Sequence, residues 1–460
     1  MLLLFIAMKG LKQHRSVSSP FRALGLQFFV LFACFFPPTV LSADYIRPAV
    51  RDARASGFPD PFVSLDGSEV DTPEKWYDKR RNELKELFQY HMYGYLPPSS
   101  RIETTVVKHD AEALGGNAQY FEVRIDFPDL PQSVQTEAGE RIRPRIMVSL
   151  FLPATGDGPF PVFVGINRCG NHTVTPYRGI SIFPESRGGG HCYNSEEGRG
   201  THTNFWSVEY VISRGYAFAT FHQSDVDRDR VDAYDGIQPF YAHRFAIDEE
   251  HAATAWGTIA VWAWGVSRVI DFLDVSPYID NTRIAVVGHS RRGKSALLVA
   301  AFDERIDFVI PHQAGTGAEA LSRGLIQEPM FIMNRTYPHW FNDIYKSYDF
   351  RTNRLPVDQH ELLALVAPRG VLLTAALDYL WAGPNSALRA MKAADPIFKL
   401  LGAEGLRGNG IIPSDAPITT ENATGLSQYR RATGHRLDPG YWRVFVDYAD
   451  AFYKKALTFL

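Results

Sequence analysis

The chain has little cysteine and no excess of either charge. Its 460 residues contain 3 cysteines, and 48 lysines and arginines face 51 aspartates and glutamates, so the formal net charge is −3. Near-neutral charge without a basic tract argues against a nucleic-acid-binding protein. C-x-x-C pairs and an H-E-x-x-H helix are also missing. We therefore expect no metal and no cofactor.

A long apolar run occurs near the N-terminus. Basic residues precede "ALGLQFFVLFACFFPPTVLSA", which ends in small residues. This layout predicts a secretory signal peptide over residues 1–43, cleaved after Ser42 or Ala43. The run is short for a membrane span and contains a proline pair, so we expect a secreted or periplasmic monomer without stable membrane association. Lipoprotein processing at Cys34 is the alternative.

Two cysteines, Cys169 and Cys192, remain once Cys34 has left with the signal peptide. In an exported protein they could form a disulfide. Two buried free thiols are the alternative, and the sequence leaves both open.

The mature chain, residues 44–460, is predicted to form a single catalytic domain in two parts. In residues 44–155 an amphipathic helix, "PEKWYDKRRNELKELFQYHMYG", precedes alternating segments such as "QYFEVRIDF" that predict antiparallel strands. Residues 156–460 form the core, in which short apolar segments such as "FPVFVGIN" and "RIAVVGHS" alternate with helical stretches. This order predicts an α/β fold with a mostly parallel, doubly wound sheet.

Ser290 lies where the predicted strand "RIAVVGHS" meets the predicted helix "RGKSALLVAA". A serine on a tight strand-to-helix turn is exposed as a nucleophile when a histidine can remove its proton. Gly288 and Ser290 fit the G-x-S-x-G pattern, but Arg292 stands at the second glycine's position and Gly293 follows it. A serine that merely caps the helix is the alternative reading.

His435 is the predicted base, because in this type of fold the histidine follows the serine and the acid in a late loop. It lies in a glycine-containing loop before the last predicted helix. Asp378, at the end of the strand "RGVLLTAALD", is the predicted acid that would orient and stabilise the imidazolium. It could instead cap a turn. Glu319, expected on a helix, is the reserve acid.

Positive charge surrounds the predicted nucleophile. Arg291 follows Ser290 where a backbone N–H normally faces the oxyanion, and its guanidinium could add to that stabilisation. Lys294 lies one helical turn further on, on nearly the same face. Next to a helix amino end, these charges favour a substrate with acidic or oxygen-rich groups.

With these residues in place, the chain resembles the glucuronoyl esterases of carbohydrate esterase family fifteen. The resemblance is carried by the serine motif G-x-S-R-x-G-K and by "GINRCGNHT", "RGYAFATFHQSDVDRD", "YPHWFND" and "LPVDQHELLALVAPRG". It implies an α/β-hydrolase three-layer sandwich and hydrolysis of 4-O-methyl-glucuronoyl esters that join plant cell-wall glucuronoxylan to lignin alcohols. It also implies that Ser290, His435 and Arg291 carry the reaction, that Lys294 binds sugar hydroxyls and that Trp340 lines the sugar pocket.

The sequence departs from this family at Gln313. Many members have a glutamate there as the acid, and an amide cannot stabilise an imidazolium as a carboxylate does. Some relatives are similar in placing the acid one strand later, where Asp378 stands. The segment "DVDRD" at residues 225–229 lacks the glycine and glutamate of a calcium loop and predicts a polar loop.

Two other functions compete with the uronate esterase. One is an acetyl-xylan esterase or another polysaccharide carboxylesterase, for which Lys294 and Trp340 would have little to bind. The other is a catalytically weakened carbohydrate-binding relative, which the amide at Gln313 would explain.

Overall fold

In the computed structural model the described residues all belong to one unit. The predicted signal peptide and Cys34 lie outside the described residues. Within the described ranges no helix combines the length and the apolar character that a bilayer crossing requires. The described residues are 57–135, 139, 141–183, 192–231, 235–324 and 327–456.

The strands form one large mixed sheet and one small hairpin. Ten strands pair in the order β1-β2-β5-β7-β6-β8-β9-β10-β12-β11, and β3 pairs with β4 separately. From β7 to β11 all neighbours in the sheet are parallel, whereas β1, β2, β5 and β7 pair antiparallel. The strands are β1 (Glu103–Glu112), β2 (Ala118–Asp126), β3 (Val134–Gln135), β4 (Arg141–Ile142), β5 (Arg145–Pro153), β6 (Phe160–Asn167), β7 (Ala217–His222), β8 (Ile279–His289), β9 (Phe308–His312), β10 (Gly370–Ala376), β11 (Ile411–Pro413) and β12 (Leu426–Arg431).

Helices follow most of the parallel strands, as expected for crossovers between parallel neighbours. They are α1 (Pro73–Lys75), α2 (Arg81–Phe88), α3 (Ala113–Gly116), α4 (Thr203–Trp206), α5 (Val208–Ser213), α6 (Glu249–Ala253), α7 (Thr258–Asp274), α8 (Arg291–Phe302), α9 (Met330–Thr336), α10 (Asp343–Lys346), α11 (Gln359–Ala364), α12 (Pro384–Leu400) and α13 (Pro439–Ala456).

Both faces of the sheet are buried, which produces three layers. Successive side chains of a strand point to opposite faces. On β8, Val286 packs into the hydrophobic cluster formed with α7 and α8, and Val287 packs into the cluster formed with α5 and α13. This burial on both faces explains why the central strands are continuously apolar. The predicted α/β-hydrolase architecture with its mostly parallel sheet is confirmed.

The predicted N-terminal helix is present but is not regular throughout. π-Helical turns at Trp76–Arg80 and Gln89–Tyr93 flank α2. Its apolar face is buried as the sequence pattern indicates, with Trp76, Leu84, Leu87 and Phe88 all in the core.

Cys169 and Cys192 are joined by a disulfide. This resolves the choice between a disulfide and two free thiols that the sequence left open. Because Cys169 follows Arg168 directly after β6, the bridge restrains the chain at the carboxyl end of the sheet.

Candidate active site

Ser290 occupies a sharp corner between β8 and α8. Its backbone has φ 59° and ψ −129°, a conformation that a residue with a side chain adopts only when the surroundings enforce it. A Cβ on Gly288 would collide with the backbone of Arg292, and one on Gly293 would lie 2.8 Å from the Cβ of Ala314. The corner therefore needs Gly293 as its second glycine, one position later than in the common motif.

The corner places Ser290 at the amino end of α8, on the wall of a cavity of about 600 Å³. The first N–H groups of a helix have no acceptor within the helix, and the helix dipole favours negative charge there. Arg291 is the first residue of α8, so its N–H is one of these groups. This position suits an oxyanion that forms beside Ser290.

His435 lies on the same cavity, in the loop between β12 and α13. Its ring centroid is 4.4 Å from that of His289, the residue before Ser290. The ring of Tyr379 stacks on the ring of His435 with a centroid distance of 4.4 Å. The histidine predicted from chain order thus lies on the same cavity as Ser290 and contacts the residue that precedes it.

The charge of His435 is set by its surroundings. Burial, together with the positive charges of Lys294 and Arg291, lowers its pKa to about 4. The imidazole is therefore neutral at pH 7 and can accept a proton.

The side chain of Gln313 forms a hydrogen bond with the imidazole of His435. The Gln313 Oε1 atom lies 3.0 Å from His435 Nδ1, while its Nε2 lies 3.1 Å from the Tyr441 hydroxyl and 3.4 Å from the Arg436 carbonyl oxygen. A carbonyl only accepts, so the amide nitrogen must face Arg436 and the amide oxygen must face His435. His435 then donates from Nδ1, which leaves the lone pair on Nε2 available for a proton.

Asp378, the predicted acid, is not brought into this hydrogen bond. Its backbone N–H donates to the Thr433 carbonyl at 3.1 Å, so it lies against the histidine loop, but its side chain is exposed. It is not among the residues that line the cavity. In the described part of the chain no hydrogen bond joins Asp378 to His435, and its catalytic role stays a prediction.

Glu319, the reserve acid, lies in a turn after β9 and not on the expected helix. It is 2% exposed, and its Oε1 accepts a hydrogen bond from the Ala314 N–H at 3.0 Å. Burial raises its pKa to about 8. It thus supports the loop after Gln313 as a neutral acid.

Asp229 holds the Arg291 guanidinium in place. Its Oδ2 accepts from Arg291 at 2.6 Å, and its Oδ1 accepts from His339 Nε2 at 3.0 Å and from Trp340 Nε1 at 2.9 Å. Burial opposes the charge, but the hydrogen bond from His339 and the charge of Arg291 hold the pKa of Asp229 below its ordinary value. The sequence predicted only a polar loop here, because the three donors are distant along the chain.

Trp340 lines the cavity, but its polar atom is bonded to Asp229 and one of its faces is covered. It is 3% exposed and stacks on Tyr337 with a centroid distance of 3.9 Å, and the Arg291 guanidinium lies 4.4 Å from its ring. Trp381 lines the same cavity and is 43% exposed. Sequence reasoning missed Trp381, which is the more accessible aromatic surface for a ligand.

Lys294 reaches the cavity from the second turn of α8. It is 1% exposed, and its Nζ donates to the carbonyl oxygens of Ala314, at 2.7 Å, and Thr316. The Glu328 carboxylate lies 3.4 Å away. Burial lowers the pKa of Lys294, and Glu328 opposes that effect.

The family model described as "Glucuronyl esterase, fungi" matches residues 201–402. Carbohydrate esterase MZ0003, from an unknown prokaryotic organism, is 34% identical over 85% of this chain and 88% of its own length. A 4-O-methyl-glucuronoyl methylesterase from Phanerochaete carnosa is 28% identical over 75% of this chain and 72% of its own.

Solved structures give the same result. A promiscuous CE15 esterase from a marine bacterial metagenome superimposes with a TM-score of 0.74 at 32% identity, covering 88% of this chain and 99% of that one. A glucuronoyl esterase from Solibacter usitatus has a TM-score of 0.76 at 29% identity, with 87% and 99% covered. Similarity over most of both sequences, in a shared fold, confirms the resemblance seen in the sequence: this chain belongs to the glucuronoyl esterases of carbohydrate esterase family 15.

Proposed function

We propose that this protein hydrolyses 4-O-methyl-glucuronoyl esters of plant cell-wall glucuronoxylan, releasing the uronic acid and a lignin-type alcohol. The names of its relatives support the substrate class, and the site supports the reaction type. The observation that carries the proposal is the meeting of Ser290 and His435 on one cavity wall with Arg291 and Lys294.

The reaction is acyl transfer in two steps. The Ser290 Oγ attacks the ester carbonyl carbon while His435 Nε2 takes the hydroxyl proton. The carbon–alkoxy bond then breaks and His435 returns the proton to the departing alcohol, which leaves an acyl-enzyme. Water attacks that ester in the same way, His435 again transfers the proton, and the free acid and the Ser290 hydroxyl result.

Arg291 and the amino end of α8 stabilise the oxyanion. Because Asp229 fixes the guanidinium from one side and Trp340 from another, Arg291 needs little reorganisation as the negative charge develops. The uronate ring occupies the side of the cavity at Lys294 and Glu328, with Trp381 offering an exposed face to the sugar.

Gln313 fixes the tautomer of His435 but supplies no charge to the imidazolium that forms in each step. The expected consequence is a lower rate than with a carboxylate at this place. Asp378, the acid predicted from the sequence, would have to turn from solvent toward Nδ1 to act.

Export to the periplasm or the medium fits the Cys169–Cys192 disulfide, since such bonds persist in oxidising compartments. The signal peptide over residues 1–43 and the monomeric state stay predictions.

The test compares benzyl D-glucuronate with p-nitrophenyl acetate. The proposal predicts a higher kcat/KM for the glucuronate, reduced by Lys294→Met, which keeps the apolar stem and removes the ammonium. Lys392→Met, at an exposed lysine away from the cavity, is the matched control. A preference for the acetate that Lys294→Met does not disturb would favour an acetyl esterase. Binding of xylan without turnover would favour the carbohydrate-binding reading.

A further inference from the structure

The cavity extends to both sides of Ser290 along the sheet. In the strand order β7-β6-β8-β9-β10, Ser290 follows the middle strand. On the β9 and β10 side, Lys294 is bound to carbonyls of the loop after β9, and Trp381 comes from the loop after β10. On the β6 and β7 side the lining includes Arg168, after β6, and Gln223, after β7. We call this second side the Arg168 flank.

An ester bound at Ser290 extends in both directions. Its acyl group and its alkoxy group leave the carbonyl carbon on opposite sides. With the uronate ring at Lys294, the alcohol part is directed toward the Arg168 flank.

The Arg168 flank carries two arginines, Arg168 and Arg292, for which the described residues provide no ion-pair partner within 4.0 Å. Arg168 is exposed to the cavity and forms no ion pair within 4.0 Å in that part of the chain. Arg292 is 8% exposed, and its Nε donates to the neutral Gln223 side chain at 2.7 Å while the guanidinium lies over Trp262. Among the described ion pairs none includes Arg292.

The other arginines of the cavity differ in this respect. Arg228 forms an ion pair with Asp235 at 2.9 Å, and Arg291 forms one with Asp229 at 2.6 Å. The charge of Asp229 also acts on Arg292 from beyond ion-pair distance and raises the pKa of its guanidinium, so Arg168 is the less compensated arginine of the flank.

The backbone that carries Arg168 is held from two sides. Its carbonyl oxygen lies 2.8 Å from His222 Nε2, and the next residue, Cys169, is bonded to Cys192. The field of the pair reaches a neighbouring side chain: burial lowers the pKa of His202, and the charges of Arg168 and Arg292 lower it further. An exposed arginine on a held backbone, with no ion-pair partner among the described residues, is suited to an anionic ligand.

We propose that the Arg168 flank is a leaving-group subsite that selects esters whose alcohol carries an anionic group, such as a carboxylate. The inference rests on the proposed esterase function and adds a preference on the alcohol side. Arg168 contacts the anionic group, and Arg292 adds charge from behind it.

The experiment compares benzyl D-glucuronate with 4-carboxybenzyl D-glucuronate, which share the acyl group and differ by one charge on the alcohol. At low ionic strength the wild type is expected to prefer the anionic ester by roughly threefold to fivefold in kcat/KM, the effect of one partly solvated charge pair. Salt should reduce this ratio. Arg168→Gln should bring it to about one, and Arg168→Glu should reverse it.

Arg143→Gln is the matched control, because Arg143 is exposed and does not line the cavity. It should leave both rates and their ratio unchanged. A wild-type ratio near one, or a ratio that Arg168→Gln leaves intact, overturns the proposal.

A binding measurement separates this proposal from the esterase function. 4-(Hydroxymethyl)benzoate, the free anionic alcohol, should bind the wild type more tightly than benzyl alcohol does, and Arg168→Gln should remove the difference. If neither ester is hydrolysed but this difference is present, the esterase function fails and the anion subsite stands. If the esters are hydrolysed and binding shows no difference, the subsite fails alone.

Discussion

The side-chain oxygen of Gln313 accepts a hydrogen bond from Nδ1 of His435 at 3.0 Å. A neutral amide thus occupies the place from which a carboxylate usually orients a catalytic imidazole. The bond fixes the tautomer of His435, yet leaves the imidazolium without a counter-charge. With an amide in place of a carboxylate, we expect a lower catalytic rate and a lower pKa of His435.

Two substitutions separate the candidates for orienting His435. Because Gln313 holds the imidazole in this structure, Gln313→Ala should lower kcat on benzyl glucuronate by about tenfold or more. Asp378→Ala should leave kcat close to the wild-type value, since the Asp378 side chain is exposed. A loss from Asp378→Ala larger than that from Gln313→Ala would support the sequence-based assignment of Asp378 as the acid.

The pH profile reports the charge of His435 directly. The base works when neutral, so activity is present above its pKa and is lost as the pH falls through it. With the pKa of His435 lowered to about 4, kcat/KM should stay constant from pH 7 to pH 6 and fall below about pH 5. In Gln313→Glu the new carboxylate raises the pKa of His435, so kcat should rise and the fall should begin at a higher pH. An acidic limb near pH 6.5 in the wild type would contradict this.

Much of the fold could be predicted from apolar patterning, because the central strands are buried on both faces. Strand β12 was missed because its sequence, "LSQYRR", is mostly polar, although it pairs on both sides with β10 and β11. This segment forms a strand because it packs between two neighbouring strands, and its own sequence carries no pattern that predicts a strand.

Sequence prediction placed Ser290 and His435 at one site, for which chain order and a local corner are sufficient, and both line the cavity, while their catalytic roles stay predictions. It missed that Asp229 binds the Arg291 guanidinium. The other two donors to Asp229, His339 and Trp340, lie more than a hundred residues away from it along the chain. The charge difference between an amide and a carboxylate at Gln313 was visible in the sequence, whereas its hydrogen bond to His435 required the fold.

Glu319 should make the protein less stable as the pH rises. Its pKa is about 8 in the folded state against 4.5 for a free side chain, so the folded state retains a proton that the unfolded chain releases between these values. The contribution of Glu319 to the stability of the protein is therefore highest below pH 4.5 and is lost as the pH rises toward 8. Glu319→Gln keeps an acceptor for the Ala314 N–H and removes the titration.

Thermal unfolding at pH 5 and pH 8 tests this. The gain in Tm of Glu319→Gln over the wild type should be larger at pH 8 than at pH 5. The corresponding difference in the free energy of unfolding is on the order of a few kcal/mol. Glu112→Gln, at an exposed glutamate, should show no such difference. An equal effect at both pH values would show that Glu319 is ionised throughout.

The disulfide should stabilise the chain mainly by restricting the unfolded state. Cys169 and Cys192 are separated by 23 positions. A closed loop of this size contributes about 3 kcal/mol in the chain-entropy model. The double variant Cys169→Ser/Cys192→Ser should unfold at a lower denaturant concentration, and a reducing agent should shift the wild type to the same midpoint but leave the variant unchanged. Coincident midpoints of oxidised and reduced wild type would contradict the prediction.

The nucleophilic role of Ser290 is tested most directly by the kcat/KM of Ser290→Ala on benzyl glucuronate. Glucuronate binding, measured by calorimetry, should persist in the variant because the proposed ring contacts, Lys294 and Trp381, are unchanged. Turnover should fall by at least about a thousandfold, as in other enzymes that lose the attacking hydroxyl. A variant that still hydrolyses the ester within tenfold of the wild-type rate would show that the reaction does not pass through Ser290.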